Sequence, residues 1–344
     1  MPLILLIVKI YIKILISKVY KLTMKILAIQ NKMGIGDMII YLPFLEAIAK
    51  KYNTKVDILV KANSKAKEIL KFNNYVGEII NLDRNNKNKK GLHDGFFGSI
   101  TLANQLKNYK FKKVFIFNSS LRYKLICKLA YINAIYQYPL FKKKNQHIIL
   151  AAQNFLKGTI GENVNSEPKI DVDKKSISET AIKFNIKKEE KNIILGIGGS
   201  GNTKRIPSKI FLKFMEMCDN EYNCRFFLAT GINEEEQSIL KDILNSKYNS
   251  KCLALDKMSL FQTFPIIANC DIAICNDSSF SHLSSAIGIQ TIVLMADTPL
   301  LYGSYSSKMF PIIPDGEVTV KHDTLGKDRI DPQKIFYKFK ELIN

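Results

Sequence analysis

From Met24 onward the chain alternates short runs of aliphatic and β-branched residues with longer segments of mixed polarity. KILAIQ (25–30), VDILV (56–60), EIINL (78–82) and KVFIFN (113–118) are such runs, with a helix reaching about Tyr52 after the first and another near Ser64–Phe72 after the second. A strand that is apolar at nearly every position is buried on both faces. Strands of that kind alternating with helices predict a parallel sheet covered on both sides. Between Gly158 and Lys191 the pattern lapses into a polar stretch with Pro168, leaving room only for a short helix around Ser178–Phe184. A second series then begins: NIILGI (192–197), RFFLAT (225–230), CLAL (252–255), DIAIC (271–275) and TIVLM (291–295). The last segment, Asp331–Leu342, reads as a helix with Asp331 as N-cap and Pro332 at the first helical position. The prediction is an α/β chain with two doubly wound domains, 24–165 and 191–330, joined by a connection at 166–190 and closed by a C-terminal helix in 331–344. A length of 344 residues suits two such domains.

Residues 1–23 stand apart. They are strongly apolar but carry Lys9, Lys13, Lys18 and Lys21, so no uninterrupted stretch reaches the roughly 18–20 residues of a membrane span. Two readings stay open: an amphipathic helix lying in a membrane interface, or translated sequence upstream of a true start at Met24.

Charge changes the picture less than its size suggests. The formal net charge of +20 would draw polyanions, yet only five of the 51 basic residues are arginine, the usual bidentate reader of phosphates and base edges. A basic face that meets anionic lipid or an anionic acceptor fits better than nucleic acid as a partner. Six cysteines without C-x-x-C spacing exclude a disulfide framework and read as buried free thiols of a cytoplasmic protein.

In doubly wound sheets, ligands gather at the carboxyl ends of the strands, and three loops there carry candidate chemistry. Asn31–Asp37 holds Gly34 and Gly36, but Ile39 stands at the third glycine position of a dinucleotide fingerprint and no acidic residue ends the second strand, which argues against nicotinamide or flavin. Asp37 is either a cap of the following helix or a carboxylate placed to take a proton from a substrate hydroxyl. Gly198–Ser208 brings Gly199, Ser200 and Gly201 with Lys204 and Arg205, either an anion cradle or a flexible basic turn. Thr203 before the lysine rules against a Walker loop. Asn276–Leu283 opens a helix on Ser278, Ser279 and His282 after Asp277, a seat suited to a diphosphate, although a lone histidine is often structural. Asp171 and Asp173 have a metal-binding D-x-D form in a linker setting that is wrong for it.

Taken together, the three loops resemble glycosyltransferase family 9, the lipopolysaccharide heptosyltransferases, over Met24 to about Gly303. KILAIQNKMGIGDMIIYLPFLEAIAKKY, GGSGNTKRIP and CNDSSFSHLSSAIGIQTIVL carry the likeness, in the family's order. The resemblance implies a GT-B architecture, two Rossmann-like domains facing a cleft, with the acceptor on the N-terminal domain and the nucleotide sugar on the C-terminal one. It implies an inverting transfer, with Asp37 as general base and the donor nucleotide sugar held by Gly199, Ser200, Gly201, Lys204, Asp277, Ser278, Ser279 and His282. Glu234 is the candidate for the family's acidic donor residue, in competition with Asn233 and Glu235. Gly36, Lys61, Arg84 and Arg122 are candidates for holding an anionic, lipid-linked saccharide acceptor of lipopolysaccharide core synthesis at the inner-membrane surface. The implied donor is ADP-heptose, with no tightly bound cofactor and no required metal. The alternative is a non-catalytic GT-B-like protein that binds a nucleotide or glycan. Ser279 stands where the family usually has glycine, Ile206 replaces a common tryptophan, and Gln290 and Ala296 replace a usual proline and glycine.

Overall fold

The computed structural model describes residues 24–31, 34–84, 89–139 and 147–343. The amphipathic segment 1–23 and the loop positions Lys32 and Met33 lie outside the described residues. The chain divides into two compact units, one ending at Asn165 and the other beginning at Ser166.

The N-terminal unit is built on a parallel sheet of β1 (Ile26–Ile29), β2 (Val56–Val60), β3 (Val76–Asn81), β4 (Lys113–Ile116) and β5 (Ala134–Gln137), in the order β3-β2-β1-β4-β5. Its register places Ile26 beside Val56 on one side and Lys113 on the other. Helices α1 (Ile35–Tyr52), α2 (Ala66–Ile69), α3 (Gly95–Tyr109), α4 (Leu121–Leu129) and α5 (Ile148–Ile160) surround it. On one face Leu27, Ile29, Ile80, Val114 and Ile116 pack against Leu102 and Leu106 of α3 and Tyr123 and Ile126 of α4. The helix expected near Ser64–Phe72 is split into a 3-10 turn at Ala62–Ser64 and the single turn of α2, because Lys65 between them sits in the left-handed region at φ 55°. Strand β5 has no counterpart among the expected strands, since AIYQ lies at the sheet edge, partly exposed throughout, and lacks a fully apolar run.

The C-terminal unit repeats the plan with β6 (Lys191–Gly196), β7 (Cys224–Ala229), β8 (Cys252–Ala254), β9 (Ile272–Asn276), β10 (Gln290–Leu294) and β11 (Met309–Ile312), ordered β11-β10-β9-β6-β7-β8 and parallel throughout. The unexpected β11 is also an edge strand, and it contains Pro311, which an edge tolerates and a central strand does not. Helices α6 (Lys174–Lys183), α7 (Ser208–Glu221), α8 (Glu234–Leu244), α9 (Leu260–Ile267), α10 (Ser279–Ile287) and α11 (Pro332–Ile343) complete it. As expected, α11 starts at Pro332, with Asp331 accepting the Gln333 N–H at 2.8 Å. Its Phe339 is fully buried, edge-on to Phe214 of α7 at 5.7 Å.

The polar stretch after Asn165 is stitched to this second unit. Ser166 donates to the Tyr305 carbonyl at 3.1 Å, Glu167 accepts from Ser306 and Ser307, and Ile170 N–H reaches the Ala286 carbonyl at 2.8 Å. Asp173 is the N-cap of α6, accepting the Ser176 N–H at 2.8 Å, and Asp171 pairs with Lys169, so both carboxylates of the D-x-D have local structural work. All six cysteines are free thiols, five of them buried and Cys252 partly so.

Candidate active site

In the C-terminal sheet the chain leaves β6 toward β7 on one side and β9 toward β10 on the other, so the loops after β6 and β9 part at the carboxyl edge. Such a switch point is where a doubly wound sheet opens a ligand crevice. The two loops are tied together at its base. Asn276, fully buried at the end of β9, donates its side-chain amide to the carbonyls of Ile197 (2.9 Å) and Gly198 (3.1 Å).

The glycine loop is held from the side by α8. Glu236 Oε1 accepts the Gly199 N–H at 2.6 Å, and its other oxygen pairs with the Asn233 amide. Asn233 in turn caps α8 by accepting the Glu236 N–H at 3.0 Å. A Cβ at Gly198 or at Gly231 would run into the Glu236 carboxylate, so glycine at both positions is what lets the backbone come this close. Arg205 closes the loop from its other end, donating Nε to the Gly199 carbonyl at 2.9 Å and pairing with Glu235.

Across the switch point Lys204 Nζ reaches Asp277 Oδ2 at 3.0 Å. The other carboxylate oxygen faces His282 Nε2 at 4.0 Å, and His282 Nδ1 meets the Tyr305 hydroxyl at 2.8 Å, the two rings stacked at 5.6 Å. Asp277 is only 5% exposed, Lys204 24%. Burial alone would push the Asp277 carboxyl up; the Lys204 ammonium first, and His282 second, outweigh it and hold it below its ordinary value. Burial pushes the Tyr305 phenol well up, so it stays protonated, and its hydroxyl donates to Nδ1 in the tautomer of His282 that carries its proton on Nε2, the nitrogen facing Asp277. The result is a chain of alternating charge and polarity from Tyr305 to Lys204. An ammonium has three donors, and the bond to Asp277 leaves Lys204 able to meet a second anion.

Ser278 is the N-cap residue of α10 and Ser279 its first helical residue. The Ser278 hydroxyl oxygen is buried with no hydrogen-bond partner among the described residues, beside N–H groups that the first turn of a helix leaves unpaired. Ser279 is not among the residues with positive φ, so the backbone there accepts a side chain where the resemblance expects glycine. Ile206 is fully buried in the core, and Ala296 accepts the Gly326 N–H at 3.0 Å.

Of the acidic residues around the start of α8, Glu234 is exposed and it is Glu236 that is buried against the glycine loop. Glu236, Asn276 and Tyr305 are the site residues that sequence reasoning passed over. The first follows an N-x-x-E pattern at a helix start, a capping signature that could have singled it out. Tyr305 lies in an irregular stretch with no such signal.

In the N-terminal unit the switch point lies between β1 and β4. The loop after β1 ends at Gly34, the N-cap of α1, and Asp37 Oδ2 accepts the Gly34 N–H at 2.9 Å. The capping reading of Asp37 is thus realised, from the third helical position. Its other oxygen has no protein partner among the described residues, and the side chain is partly exposed at the carboxyl edge beside Gly36. The basic candidates sit past the same edge: Lys61 directly after β2, Arg84 after β3, and Arg122 in the first turn of α4 after β4. Arg122 donates to the His93 carbonyl at 2.6 Å, and Arg84 Nε lies 3.7 Å from Asp94. Burial, and then the neighbouring Arg84 charge, push the Arg122 guanidinium down from its ordinary value. His93 is buried, and burial pushes its imidazole down; Nδ1 accepts the Asp83 N–H at 3.1 Å.

Two parallel α/β units with ligand loops at their switch points define the GT-B class. Solved structures share this fold along nearly their whole length. The glycosyltransferase family 9 protein of Veillonella parvula matches with a TM-score of 0.76 at 17% identity, covering 93% of this chain and 97% of its own. The E. coli ADP-heptose heptosyltransferase II matches at 0.68 and 18%, covering 93% and 98%, and the E. coli heptosyltransferase WaaC with ADP at 0.68 and 14%, covering 92% and 99%. UDP-N-acetylglucosamine 2-epimerases, among them one from Listeria monocytogenes at a TM-score of 0.53, share the architecture more distantly. The profile of glycosyltransferase family 9 (heptosyltransferase) matches residues 118–312, more than half of the chain. The chain belongs to glycosyltransferase family 9. The lipopolysaccharide heptosyltransferase 1 of Campylobacter coli is 25% identical over 179 residues, 50% of this chain and 52% of that relative, so the alignment spans about half of the curated relative's length.

Proposed function

We propose that this protein is an inverting glycosyltransferase that moves a heptose from ADP-heptose onto an anionic, lipid-linked saccharide of the lipopolysaccharide core, at the cytoplasmic face of the inner membrane. The chain from Lys204 through Asp277 and His282 to Tyr305 carries this reading, because it fixes a cation beside free helix N–H groups at the mouth of the C-terminal switch point. Two neighbours support the donor: the solved structures of the E. coli heptosyltransferase WaaC include one with ADP and one with ADP-2-deoxy-2-fluoro heptose.

In this reading Asp37 takes the proton from the acceptor hydroxyl. The oxygen attacks the anomeric carbon, the carbon–oxygen bond to the diphosphate breaks on the opposite face, and the electron pair leaves with the phosphate. Lys204 and the N–H groups of Ser200, Gly201 and Ser279 meet the charge that develops there. The Gly199 N–H is already committed to Glu236, so Gly199 anchors the loop and its neighbours hold the ligand. Lys61, Arg84 and Arg122 offer positive charge to the acceptor's carboxylates or phosphates. Lys204 and the helix start can neutralise a diphosphate, so this mechanism calls on no divalent ion and no bound cofactor.

A second reading, a protein that binds nucleotide or glycan without turnover, draws on Asp37, whose one hydrogen bond serves the helix cap. The experiment measures ADP release and product formation from ADP-heptose with heptose-free core lipopolysaccharide, together with ADP binding by thermal shift. Asp37→Asn keeps a capping acceptor and should lower turnover by about 10²–10⁴-fold with ADP binding unchanged. Equal turnover in that variant removes Asp37 as the base; ADP binding without any release of product by the wild type favours the second reading.

A further inference from the structure

Helices α3 and α4 lie side by side over one face of the N-terminal sheet. Leu102 and Leu106 of α3 and Tyr123 and Ile126 of α4 point into the same core. Arg122 at the start of α4 donates to the carbonyl of His93, just before α3, and Lys107 near the end of α3 sits 4.7 Å over the ring of Tyr131, just past α4. The two helices therefore run parallel with their starts together, and their outer sides form one continuous surface.

The outer side of a helix that covers a sheet is ordinarily polar. Here it is not. Leu121, Leu125 and Leu129 follow one another at four-residue spacing along the outside of α4, while Phe96, Phe97 and Ile100 occupy the first turns of α3, and all six are exposed. Phe97 is 82% and Phe96 75% exposed, the two rings set edge to face at 5.8 Å. The charged residues on the two helices are Lys107, Arg122, Lys124 and Lys128, and neither helix contains an aspartate or glutamate.

Sign and shape together choose the occupant. A second copy meeting the first through this face would set lysine against lysine. Segment 1–23 also carries four lysines and no carboxylate, so it is no better matched in charge. Aromatic rings and leucines flanked by lysines suit the boundary between headgroups and acyl chains, where the apolar groups leave water and the ammonium groups meet phosphate.

We propose that the outer face of α3 and α4 is the docking surface for an anionic phospholipid bilayer, with Phe96, Phe97 and the leucine stripe entering the acyl boundary and Lys124 and Lys128 on the headgroups. The inference rests on the reading of a lipid-linked acceptor and says where that lipid is met. Helix α4 begins at the carboxyl edge of β4, the strand paired with β1, whose following loop leads to Asp37. Docking through α3 and α4 therefore brings the acceptor edge of this unit to the membrane.

The test is sedimentation of the full chain with vesicles of phosphatidylcholine containing phosphatidylglycerol, and with phosphatidylcholine alone. Binding is expected to the anionic vesicles, falling more than about tenfold in Phe97→Ser/Leu125→Ser because two large apolar side chains no longer enter the bilayer. Lys124→Gln/Lys128→Gln should weaken binding roughly fivefold per charge and reduce its salt dependence, and provides a second readout if the serine variant folds poorly. Transfer to a delipidated, soluble acceptor should be unchanged in both variants. Wild-type binding by both variants overturns the proposal and assigns the membrane contact to another segment. A wild-type dimer that the serine variant converts to monomer also overturns it, in favour of a second copy. Loss of transfer by the wild type with vesicle binding intact counts against the transferase reading and not against this surface.

Discussion

Replacing Lys204 with methionine keeps most of the side chain's length and removes the ammonium that lies 3.0 Å from Asp277. Stripping one partner from a fully buried ion pair costs about 3–5 kcal/mol, because the other charge is left without compensation. Asp277 is 5% exposed but Lys204 is 24% exposed, so water reaches the pair from one side and the expected cost falls to about 2 kcal/mol. For a unit of this size that corresponds to a drop of about 4–8 °C in melting temperature. The pH dependence supplies the sharper test. Burial raises the Asp277 carboxyl, Lys204 and then His282 overcome that, and the folded state holds it below its ordinary 3.8. A depressed carboxyl contributes stability that is present above its unfolded value and is lost as pH falls through its folded one. Without Lys204 only His282 and Thr298 still oppose burial, so that contribution shrinks. The gap between wild type and Lys204→Met should therefore be smallest in acid, where Asp277 is neutral in both, and open to its full size as pH rises through the carboxylate range. Thermal unfolding followed by circular dichroism across that range measures it, with Asp277→Asn closing a double-mutant cycle. A gap that does not change with pH, or none at neutral pH, would refute the pairing and with it the alignment of Lys204 toward the donor.

Glu236→Ala leaves the buried Gly199 N–H without its acceptor, and should cost about 1–3 kcal/mol of stability and weaken ADP binding, both read from one thermal-shift titration; unchanged ADP affinity would release the glycine loop from the site. Tyr305→Phe removes the hydroxyl from His282 Nδ1 and should cost about 1 kcal/mol and shift the imidazole nitrogen resonances, whereas static resonances would break the chain at that link. Burial pushes the thiols of Cys127, Cys252 and Cys275 up to about 12. Native protein at neutral pH should therefore react slowly with a thiol reagent, Cys252 first, and fast uptake by several cysteines would contradict the burial.

The central strands were readable from the chain because a strand buried on both faces must be apolar almost throughout, as in VDILV and NIILGI. The edge strands β5 and β11 escaped for the converse reason. AIYQ is partly exposed and MFPI contains a proline, and neither carries a continuous β-branched run. At the site, the glycine loop and the segment from Asn276 to His282 were visible as loops after strands, where small residues and a charge fall together. Glu236 was one of three consecutive glutamates, and only its place three residues after the Asn233 cap marked it; the helix phase then buries it while Glu234 and Glu235 stay exposed.

By itself the sequence determined two parallel α/β halves, the three loops that end their strands and the family likeness, since these rest on local patterns of apolarity, glycine and charge. Only the tertiary structure decided that Lys204 meets Asp277 across 73 positions, that Tyr305 stands behind His282, and that the outer sides of α3 and α4 make one apolar basic face. Those pairings depend on strand order and helix packing, which bring distant residues together through contacts that no local stretch of sequence encodes.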